Sequence, residues 1–277
     1  MTLTKFDLTK KNILITGGAG LLGIEHASAI LEVNGTVILA DVSYKKLEAA
    51  KIELSKKYKK QKIILIEMDV TSSSDIQKAY SSLLSQNIRV DVLINNAAID
   101  PKVSKSKKMV KSSRLEHFSE DEWDLQLAVG LKGAFLCSKV FGSAMAEDGK
   151  GGIIINISSD LSVFSPDQRI YRDDNLLEEE QAVKPVTYSV IKTGLIGLTK
   201  YLSTYWINQG VRSNALSPGG VFIDQDEGFV AKLSALIPMG RMAKIDEYHS
   251  AIQFLCSDAS SYLNGQNIVM DGGRSVW

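Results

Sequence analysis

The sequence predicts an α/β fold, in which a doubly wound parallel sheet of about seven strands carries helices on both faces. Short apolar, β-branched runs alternate with longer segments of helical periodicity, and strands buried on both faces of a parallel sheet have this character. Alternating strands and helices are joined by right-handed crossovers. The chain has 277 residues, 44% of them hydrophobic, and shows no repeat or linker. One domain over residues 1–277 is therefore predicted.

The predicted elements follow one another along the whole chain. Strands are expected at 12–16, 36–40, 63–67, 91–95, 153–157, 211–216 and 266–270. Helices are expected at about 21–33, 43–59, 74–86, 121–146, 187–208 and 246–257. Two polar stretches, 100–118 and 160–187, interrupt the alternation. Both follow the carboxyl end of a strand, where open parallel sheets bind ligands, and both are predicted to be active-site insertions.

Charge and cysteine content narrow the classes of function. Lys plus Arg and Asp plus Glu balance at 32 each, so no global field favours nucleic acid or a membrane. The apolar runs are too short to cross a bilayer, and residues 1–12 lack the apolar core of a signal peptide. Cys137 and Cys256 lie far apart in helical patterns, which favours buried free thiols and a reducing cytoplasm. No metal site is predicted, because metal-ligand spacing is missing from His26, His117 and His249.

The stretch TGGAGLLG, at 16–23, joins the first strand to the first helix. Glycines there permit positive φ and let backbone amides approach a pyrophosphate, which also meets the positive end of the helix. Asp41 ends the second strand, 18 residues after Gly23; a carboxylate there accepts both ribose hydroxyls and repels a 2′-phosphate. A tight structural turn and a helix-capping Asp are the alternatives. Together the two features predict NAD(H) rather than NADP(H).

Further motifs follow downstream in the same chain. They are Asp69-Val70, NNAA at 95–98, ISS at 157–159, YSVIK at 188–192, SPGG at 217–220 and GQNIVMDGG at 265–273. In this order and spacing the chain resembles the short-chain dehydrogenase/reductase family from end to end. The C-terminal third and the residues around YSVIK resemble more narrowly the bacterial flagellin-modification dehydrogenases, which serve sugar biosynthesis. The resemblance implies a Rossmann-type fold and an oxidoreductase acting on an alcohol or ketone.

Tyr188 and Lys192 are four residues apart on a predicted helix and so share one face. A free tyrosine has a pKa of about 10, and a nearby ammonium stabilises its phenolate, so Tyr188 could exchange a proton with a substrate hydroxyl. The resemblance implies Tyr188 as general acid/base and Lys192 as the residue that also holds the nicotinamide ribose. Ser159 ends the fifth strand, where a hydroxyl can stabilise charge on the reacting oxygen; the resemblance favours it over Ser158.

The resemblance also implies a set of cofactor contacts along the chain. The residues concerned are Gly17, Gly20, Leu22, Gly23, Asp41, Asp69, Val70, Asn95, Ala97, Pro218 and Gly219. Asp69-Val70 is assigned to the adenine, Asn95 and Ala97 to the adenosine side, and Pro218-Gly219 to the nicotinamide end. The common family pattern has glycine where Leu21 stands. The glycine spacing here instead matches the epimerase-like branch of the family.

Two departures from the family pattern leave rival functions open. Gly130 stands where the family usually carries an asparagine that completes a proton relay through water, which leaves a cofactor-binding regulator without turnover as one rival. The epimerase-like spacing leaves a nucleotide-sugar epimerase or dehydratase, which regenerates NAD in each cycle, as the other. Ser159 and Tyr188 are separated by 28 residues, where the family has roughly a dozen, and the excess is the stretch 160–187. The threonine that often follows the Pro-Gly pair is also missing.

Clusters of basic residues in the two insertions bear on the substrate. Six basic residues and no acid stand between Lys102 and Arg114; they form either a collar for an anionic substrate or a solvated surface loop. Arg169 and Arg172 either bind phosphate or carboxylate through forked hydrogen bonds or pair with nearby acids. The predicted substrate is a sugar phosphate or nucleotide-linked sugar of bacterial surface-glycan or flagellin-glycan precursor biosynthesis. The resemblance also implies a homodimer or homotetramer formed through the helices at 121–146 and 187–208.

Overall fold

The computed structural model describes residues 4–59, 61–99 and 113–277. Its sheet contains β1 Asn12–Thr16, β2 Thr36–Asp41, β3 Ile63–Glu67, β4 Val92–Asn95, β5 Gly152–Ile157, β6 Val211–Pro218 and β7 Asn267–Met270. The seven strands lie in the order β3-β2-β1-β4-β5-β6-β7, and every neighbouring pair is parallel. The predicted doubly wound sheet is confirmed, with each strand boundary within two residues of its predicted position.

Seven helices of seven residues or more occur in the described ranges. They are α1 Leu21–Glu32, α2 Tyr44–Lys57, α3 Ser73–Ser85, α4 Glu120–Glu147, α5 Val186–Tyr205, α6 Glu227–Ser234 and α7 His249–Cys256. All six predicted helices are present, and α6 was missed. Helix α5 ends at Tyr205 rather than at 208, because residues 207–209 tighten into a 3₁₀ turn that closes at Gly210 with φ +75°.

The core lies on both faces of the sheet, as buried parallel strands require. Alternate residues of one strand point to opposite faces: Ile13 and Ile15 pack in a cluster with α1, α2 and α7, whereas Leu14 packs in a cluster with α3, α4 and α5. Helices therefore cover both faces, which confirms the predicted layering.

Helix α4 is the long central helix of the second face. Two π turns interrupt it, at Ala128–Lys132 and Ser138–Gly142. By length and composition it is the one helix of the described chain that could cross a bilayer, but Lys132 and Lys139 interrupt its apolar residues. Its residues Cys137 and Phe141 are buried in the core cluster of the second face, the packing of an internal helix.

The strand order reverses between β1 and β4, and ligands bind at such a switch point outside the carboxyl ends of the strands. The insertion 160–187 lies over this edge in three short 3₁₀ turns. Its Ile170 packs with Leu233 of α6. Of the other predicted insertion, residues 100–112 lie outside the described residues; Arg114, which follows them, donates to the carbonyl of Glu178 at 2.7 Å.

Candidate active site

A cavity of about 860 Å³ opens at the carboxyl edge of the sheet. Residues that follow β1 to β6 line it, together with the first two turns of α5. The predicted site residues found on its walls are Gly17, Gly20, Leu22, Asp41, Asp69, Val70, Ala97, Ser159, Tyr188, Lys192, Pro218 and Gly219. Groups distant in sequence thus meet around one space, as the strand order requires.

The glycine-rich turn forms one end of the cavity. Gly17 has φ +60°, and a Cβ there would lie 2.9 Å from the Cα of Ala97, so neither the conformation nor the space admits a side chain. Gly23 does not line the cavity; a Cβ there would overlap the carbonyl oxygen of Gly17, so it serves the packing of α1 on the turn. Leu21 is the first residue of α1, which directs the amino end of that helix toward the cavity.

Asp41 lies beside the glycine-rich turn at the end of β2. Its Oδ2 accepts from the amide of Ala19 at 3.3 Å, and its Oδ1 accepts from the amide of Ser43 at 3.1 Å. These bonds fix the carboxylate on the cavity wall, where Lys46 also stands.

The prediction that Asn95 contacts the cofactor does not match its position. Asn95 is 4% exposed, and its amide donates to Ser138 at 3.0 Å and to Asn156 at 2.8 Å, so its side chain points into the helical layer behind the sheet. The next residue, Asn96, lines the cavity instead, and its amide donates to the carbonyls of Thr16 and Gly17 at 2.9 and 3.1 Å. Strand alternation explains the exchange.

Asp69 and Val70 form the wall that follows β3. The Asp69 carboxylate accepts from the amide and the hydroxyl of Thr71, at 2.8 and 2.7 Å, which closes a turn at the strand end. Val70 packs against Gly133 of α4, where an added Cβ would lie 2.9 Å from its Cγ2.

The three predicted catalytic residues line the cavity where β5 ends beside α5. The Lys192 ammonium, on a residue 6% exposed, donates to the carbonyl of Ile157 at 2.9 Å and lies 5.7 Å from the centroid of the Tyr188 ring. The hydroxyl of Ser158 donates to the Lys192 carbonyl at 2.7 Å. Ser158 thus ties β5 to the backbone of α5, whereas the hydroxyl of Ser159 donates to Asp160 at 2.9 Å.

Asp160 is a buried acid of the cavity wall that was not among the predicted site residues. Burial raises the pKa of its carboxyl, against the hydrogen bond from Ser159 and the charge of Arg274. Arg274 donates to Asp160 at 3.3 Å, stacks on the ring of Phe164 and also lines the cavity. An acid directly after ISS was a visible signal for Asp160; nothing local indicated that Arg274, near the chain end, would reach the site.

The Pro218-Gly219 turn closes the cavity after β6. The amide of Gly219 donates to the carbonyl of Met270 at 2.8 Å, and the hydroxyl of Tyr248 donates to the carbonyl of Gly219 at 3.0 Å. Burial raises the pKa of Tyr248, so its phenol remains protonated and able to donate.

Comparisons with known proteins identify this arrangement. Residues 11–171 match the family model described as short chain dehydrogenase, and residues 177–275 match the one described as enoyl-(acyl carrier protein) reductase. The chain belongs to the short-chain dehydrogenase/reductase family. It is therefore an oxidoreductase acting on alcohol or keto groups, as the motifs had implied.

Two curated relatives match this dehydrogenase over nearly its whole length. D-threitol dehydrogenase of Mycolicibacterium smegmatis is 30% identical over 98% of this chain and 95% of its own. Post-translational flagellin modification protein A of Campylobacter coli is 27% identical over 96% of this chain and 98% of its own. The sequence resemblance to flagellin-modification dehydrogenases is thus matched by one curated relative, and the other relative is a polyol dehydrogenase.

Two similar solved structures differ in their cofactor. A short chain dehydrogenase of Leptospira borgpetersenii with bound NAD⁺ is 32% identical, with a TM-score of 0.84 over 100% of this chain and 97% of its own. A gluconate 5-dehydrogenase of Burkholderia cenocepacia in complex with NADP and tartrate is 25% identical, with a TM-score of 0.83 over the full length of both chains. A nicotinamide cofactor fits the family. Because one neighbour binds NAD⁺ and the other NADP, they do not decide whether the cofactor of this chain carries a 2′-phosphate.

The residues of this dehydrogenase fit such a cofactor. The turn at Gly17 admits no side chain, and the amino end of α1 supplies backbone amides at the same place. Asp41 lines the cavity beside the turn and accepts from the amide of Ala19 within it. The glycine turn and the helix end thus suit the pyrophosphate of a nicotinamide dinucleotide.

Arg169 and Arg172 stand apart from the cavity-lining residues of the dehydrogenase. Arg169 pairs with Asp167 at 2.7 Å and Arg172 with Glu178 at 2.7 Å, and both side chains are largely solvent-exposed. Of the two interpretations left open by the sequence, the arrangement matches intrachain ion pairing. The cavity-lining cations near Tyr188 and Asp160 are instead Lys184, Lys192 and Arg274.

Part of the cavity wall is apolar. Ile170 and Tyr171 of the insertion line the cavity with Phe229 and Leu233 of α6, and the rings of Tyr171 and Phe229 stack at 5.7 Å. Helix α6, which the sequence did not predict, thus contributes to the cavity wall together with residues of the insertion 160–187.

Gly130, the position of the missing family asparagine, lies in the first π turn of α4. A Cβ there would lie 2.8 Å from Cγ2 of Ile191, the neighbour of Lys192. Ile191 occupies part of the space that a side chain at Gly130 would need, so an asparagine there would require Ile191 to shift.

Among the described residues, neither the cysteines nor a cluster of metal-binding side chains forms a second candidate site. Cys137 and Cys256 are free and buried, and burial raises the pKa of Cys137 to about 12, which keeps the thiol protonated. No group of three or more His, Cys, Asp or Glu among the residues that the structure describes is arranged to hold a metal ion.

Proposed function

We propose that this dehydrogenase uses NAD to interconvert a secondary alcohol and a ketone on a small anionic sugar, such as a sugar phosphate or a nucleotide-linked sugar. The observation that carries the proposal is the shared cavity: Ser159, Tyr188 and Lys192 line the same space as the glycine turn and Asp41. A proton-transfer group and a dinucleotide cradle in one cavity are the two parts that alcohol oxidation needs.

In this mechanism Tyr188 takes the proton of the substrate hydroxyl as the alcohol becomes a ketone, and returns it in reduction. The ammonium of Lys192 favours the phenolate of Tyr188. The hydroxyl of Ser159 donates to the reacting oxygen as charge develops on it, which requires its proton to turn away from Asp160. The nicotinamide ring supplies the hydride acceptor or donor when it is bound.

Asp41 supports the choice of NAD. Its carboxylate is fixed by two backbone amides on the cavity wall, so it can accept from ribose hydroxyls and repel a 2′-phosphate. Gly17, Gly20 and Leu22 are proposed to meet the pyrophosphate, Asp69, Val70 and Ala97 the adenosine, and Pro218 and Gly219 the nicotinamide end.

The anionic character of the substrate is proposed from Lys184 and Arg274, two cationic residues that line the cavity. The relatives include a D-threitol dehydrogenase and a flagellin modification protein, and the first of these names supports a hydroxylated substrate. We propose a role in bacterial surface-glycan or flagellin-glycan precursor synthesis, in the cytoplasm, by a homodimer or homotetramer; enzymes of this family are usually oligomeric.

A substrate screen with product stoichiometry tests the proposal. The purified protein is incubated with NAD and, separately, polyols, aldonic acids, sugar phosphates and nucleotide sugars. The proposal expects one NADH formed for each ketone, and faster turnover for anionic compounds than for their neutral analogues. Conversion of a nucleotide sugar without net NADH would instead identify an epimerase or dehydratase, the function that the epimerase-like spacing of the glycine turn favours. NADH binding without turnover of any compound would identify a regulator.

A further inference from the structure

The insertion between Ser159 and Tyr188 brings a second ammonium to the predicted acid/base. Nζ of Lys184 lies over the Tyr188 ring, 3.8 Å from its centroid, whereas Nζ of Lys192 lies 5.7 Å away. Lys184 also lines the cavity. The family motif accounts for Lys192 and leaves this closer cation unassigned.

The backbone of Lys184 is held by one side chain of the insertion. Its amide donates to the carboxamide oxygen of Gln168 at 2.9 Å, and the carboxamide nitrogen of Gln168 donates to its carbonyl at 3.5 Å. Pro185 follows as the N-cap of α5, with φ −58°, so the chain enters the helix in a fixed direction. Ile170 anchors the turn that carries Gln168 in the apolar cluster with α6.

We propose that Lys184 acts through Tyr188 as a second cation that stabilises its phenolate, with Gln168 as the residue that positions it. A cation over an aromatic face is attracted by the ring quadrupole, and it is attracted far more strongly once the phenol has lost its proton. The proposal rests on the proposed function, since it presumes that Tyr188 transfers the proton.

The other charges of the cavity define what Lys184 adds. On the substrate side the described charged residues are Lys192 from α5, Asp160 after β5 and Arg274 from the C-terminal turn. The carboxylate of Asp160 opposes ionisation of Tyr188, but Arg274 is paired with it. Helix α4 contributes Leu125 and Val129 to the wall, and both are uncharged. Asp41, Lys46 and Asp69 belong to the end where the glycine turn lies. Lys184 and Lys192 are therefore the two cations expected to govern the phenol.

The test compares Lys184→Met, which removes the charge, with Lys184→Arg, which keeps it. The pH dependence of kcat/KM for alcohol oxidation reports the group that must be deprotonated, and a spectrophotometric titration of tyrosinate, taken as the difference from Tyr188→Phe, reports the phenol without turnover. Lys184→Met is expected to raise both apparent pKa values by about 0.5 to 1 unit, the size of a partly screened charge interaction. Lys184→Arg is expected to leave them unchanged, and Gln168→Ala to raise them by a smaller amount.

Unchanged pKa values in Lys184→Met overturn the inference, and so does a rise in KM for an anionic substrate with an unchanged pH profile, because Lys184 would then bind substrate only. If Lys184→Met fails to fold, the Gln168→Ala titration decides alone. Failure of the proposed function looks different: the wild-type protein would then turn over no alcohol, or Tyr188→Phe would remain as active as the wild type.

Discussion

The guanidinium of Arg274 meets the carboxylate of Asp160 at 3.3 Å, with side chains only 9% and 7% exposed. This pair joins the C-terminal turn to the end of β5, next to Ser159 and on the wall of the cavity. A buried carboxylate without its partner is costly, so the last residues of the chain contribute to the integrity of the site.

Arg274→Gln should lower the free energy of unfolding by about 3 kcal/mol at neutral pH, the cost of leaving a buried charge unpaired. Burial already raises the pKa of Asp160, so protonation of this carboxyl favours the folded state. The stability that the folded state gains from protonated Asp160 is fully present below the unfolded pKa of about 4. It is lost as the pH rises through the higher pKa that the carboxyl has in the folded state. The variant should therefore lose less stability in acid than at pH 7, as measured by urea unfolding. Asp160→Asn combined with Arg274→Gln should recover part of the loss; equal losses at both pH values would contradict the account.

Gly130→Ala should destabilise the protein by about 1–2 kcal/mol, because the added methyl meets Ile191 in a packed interior. Ala ordinarily stabilises a helix interior relative to Gly by about 1 kcal/mol, so the sign of the change is diagnostic. Combining the substitution with Ile191→Ala should give a favourable coupling energy in a double-mutant cycle. Gly197→Ala in α5 is the control, since a Cβ there meets nothing within 4 Å; a loss of the same size in this variant would argue against the clash.

Asp41→Asn should reduce the preference for NAD over NADP, measured as the ratio of the two kcat/KM values, by about tenfold or more, which is about 1.4 kcal/mol. The substitution removes the negative charge that repels a 2′-phosphate while keeping an oxygen that can accept from Ser43. Glu67→Gln, an equal change of charge at the neighbouring end of β3 and outside the cavity lining, is the control. An unchanged ratio in Asp41→Asn would show that Asp41 does not select the cofactor.

Arg169→Ala and Arg172→Ala should change the KM of an anionic substrate by less than about twofold. Neither side chain lines the cavity, so its removal should cost no substrate-binding energy. Each arginine is solvent-exposed and engaged with an acid of the insertion, and exposed pairs of this kind contribute little to stability. The comparison is made by steady-state kinetics beside Arg274→Gln, whose side chain lines the cavity. A tenfold rise in KM for either alanine variant would show that the substituted arginine binds the substrate after all.

Much of the fold was readable because parallel strands buried on both faces leave a strong apolar signature. The run NILIT at 12–16, for example, coincides with β1. The cavity is lined by the glycine turn, Asp41, Tyr188 and Lys192. Helix α6 was missed because its eight residues follow a polar loop and carry only a short apolar face. Asn95 was misplaced because a one-residue shift along β4 exchanges the core side of the sheet for the cavity side.

The remaining site residues depend on contacts between segments far apart in the chain. Arg274 reaches Asp160 across 114 positions, and Lys184 reaches Tyr188 because Gln168, earlier in the insertion, holds its backbone. No local pattern encodes such meetings. The exposed pairing of Arg169 and Arg172 was one of two interpretations that composition alone could not separate, since it depends on where the acids of the same insertion lie.

The most direct test of the account is the turnover of Tyr188→Phe, measured as NADH formation with the best substrate of the screen, beside the NADH affinity of the same protein. Loss of a proton-transfer group costs about 10²–10⁴-fold in rate, and the phenyl ring keeps the wall of the cavity, so turnover should fall by that amount while the Kd for NADH stays unchanged. Turnover equal to that of the wild type would contradict the role of Tyr188, and with it the mechanism built around the cavity.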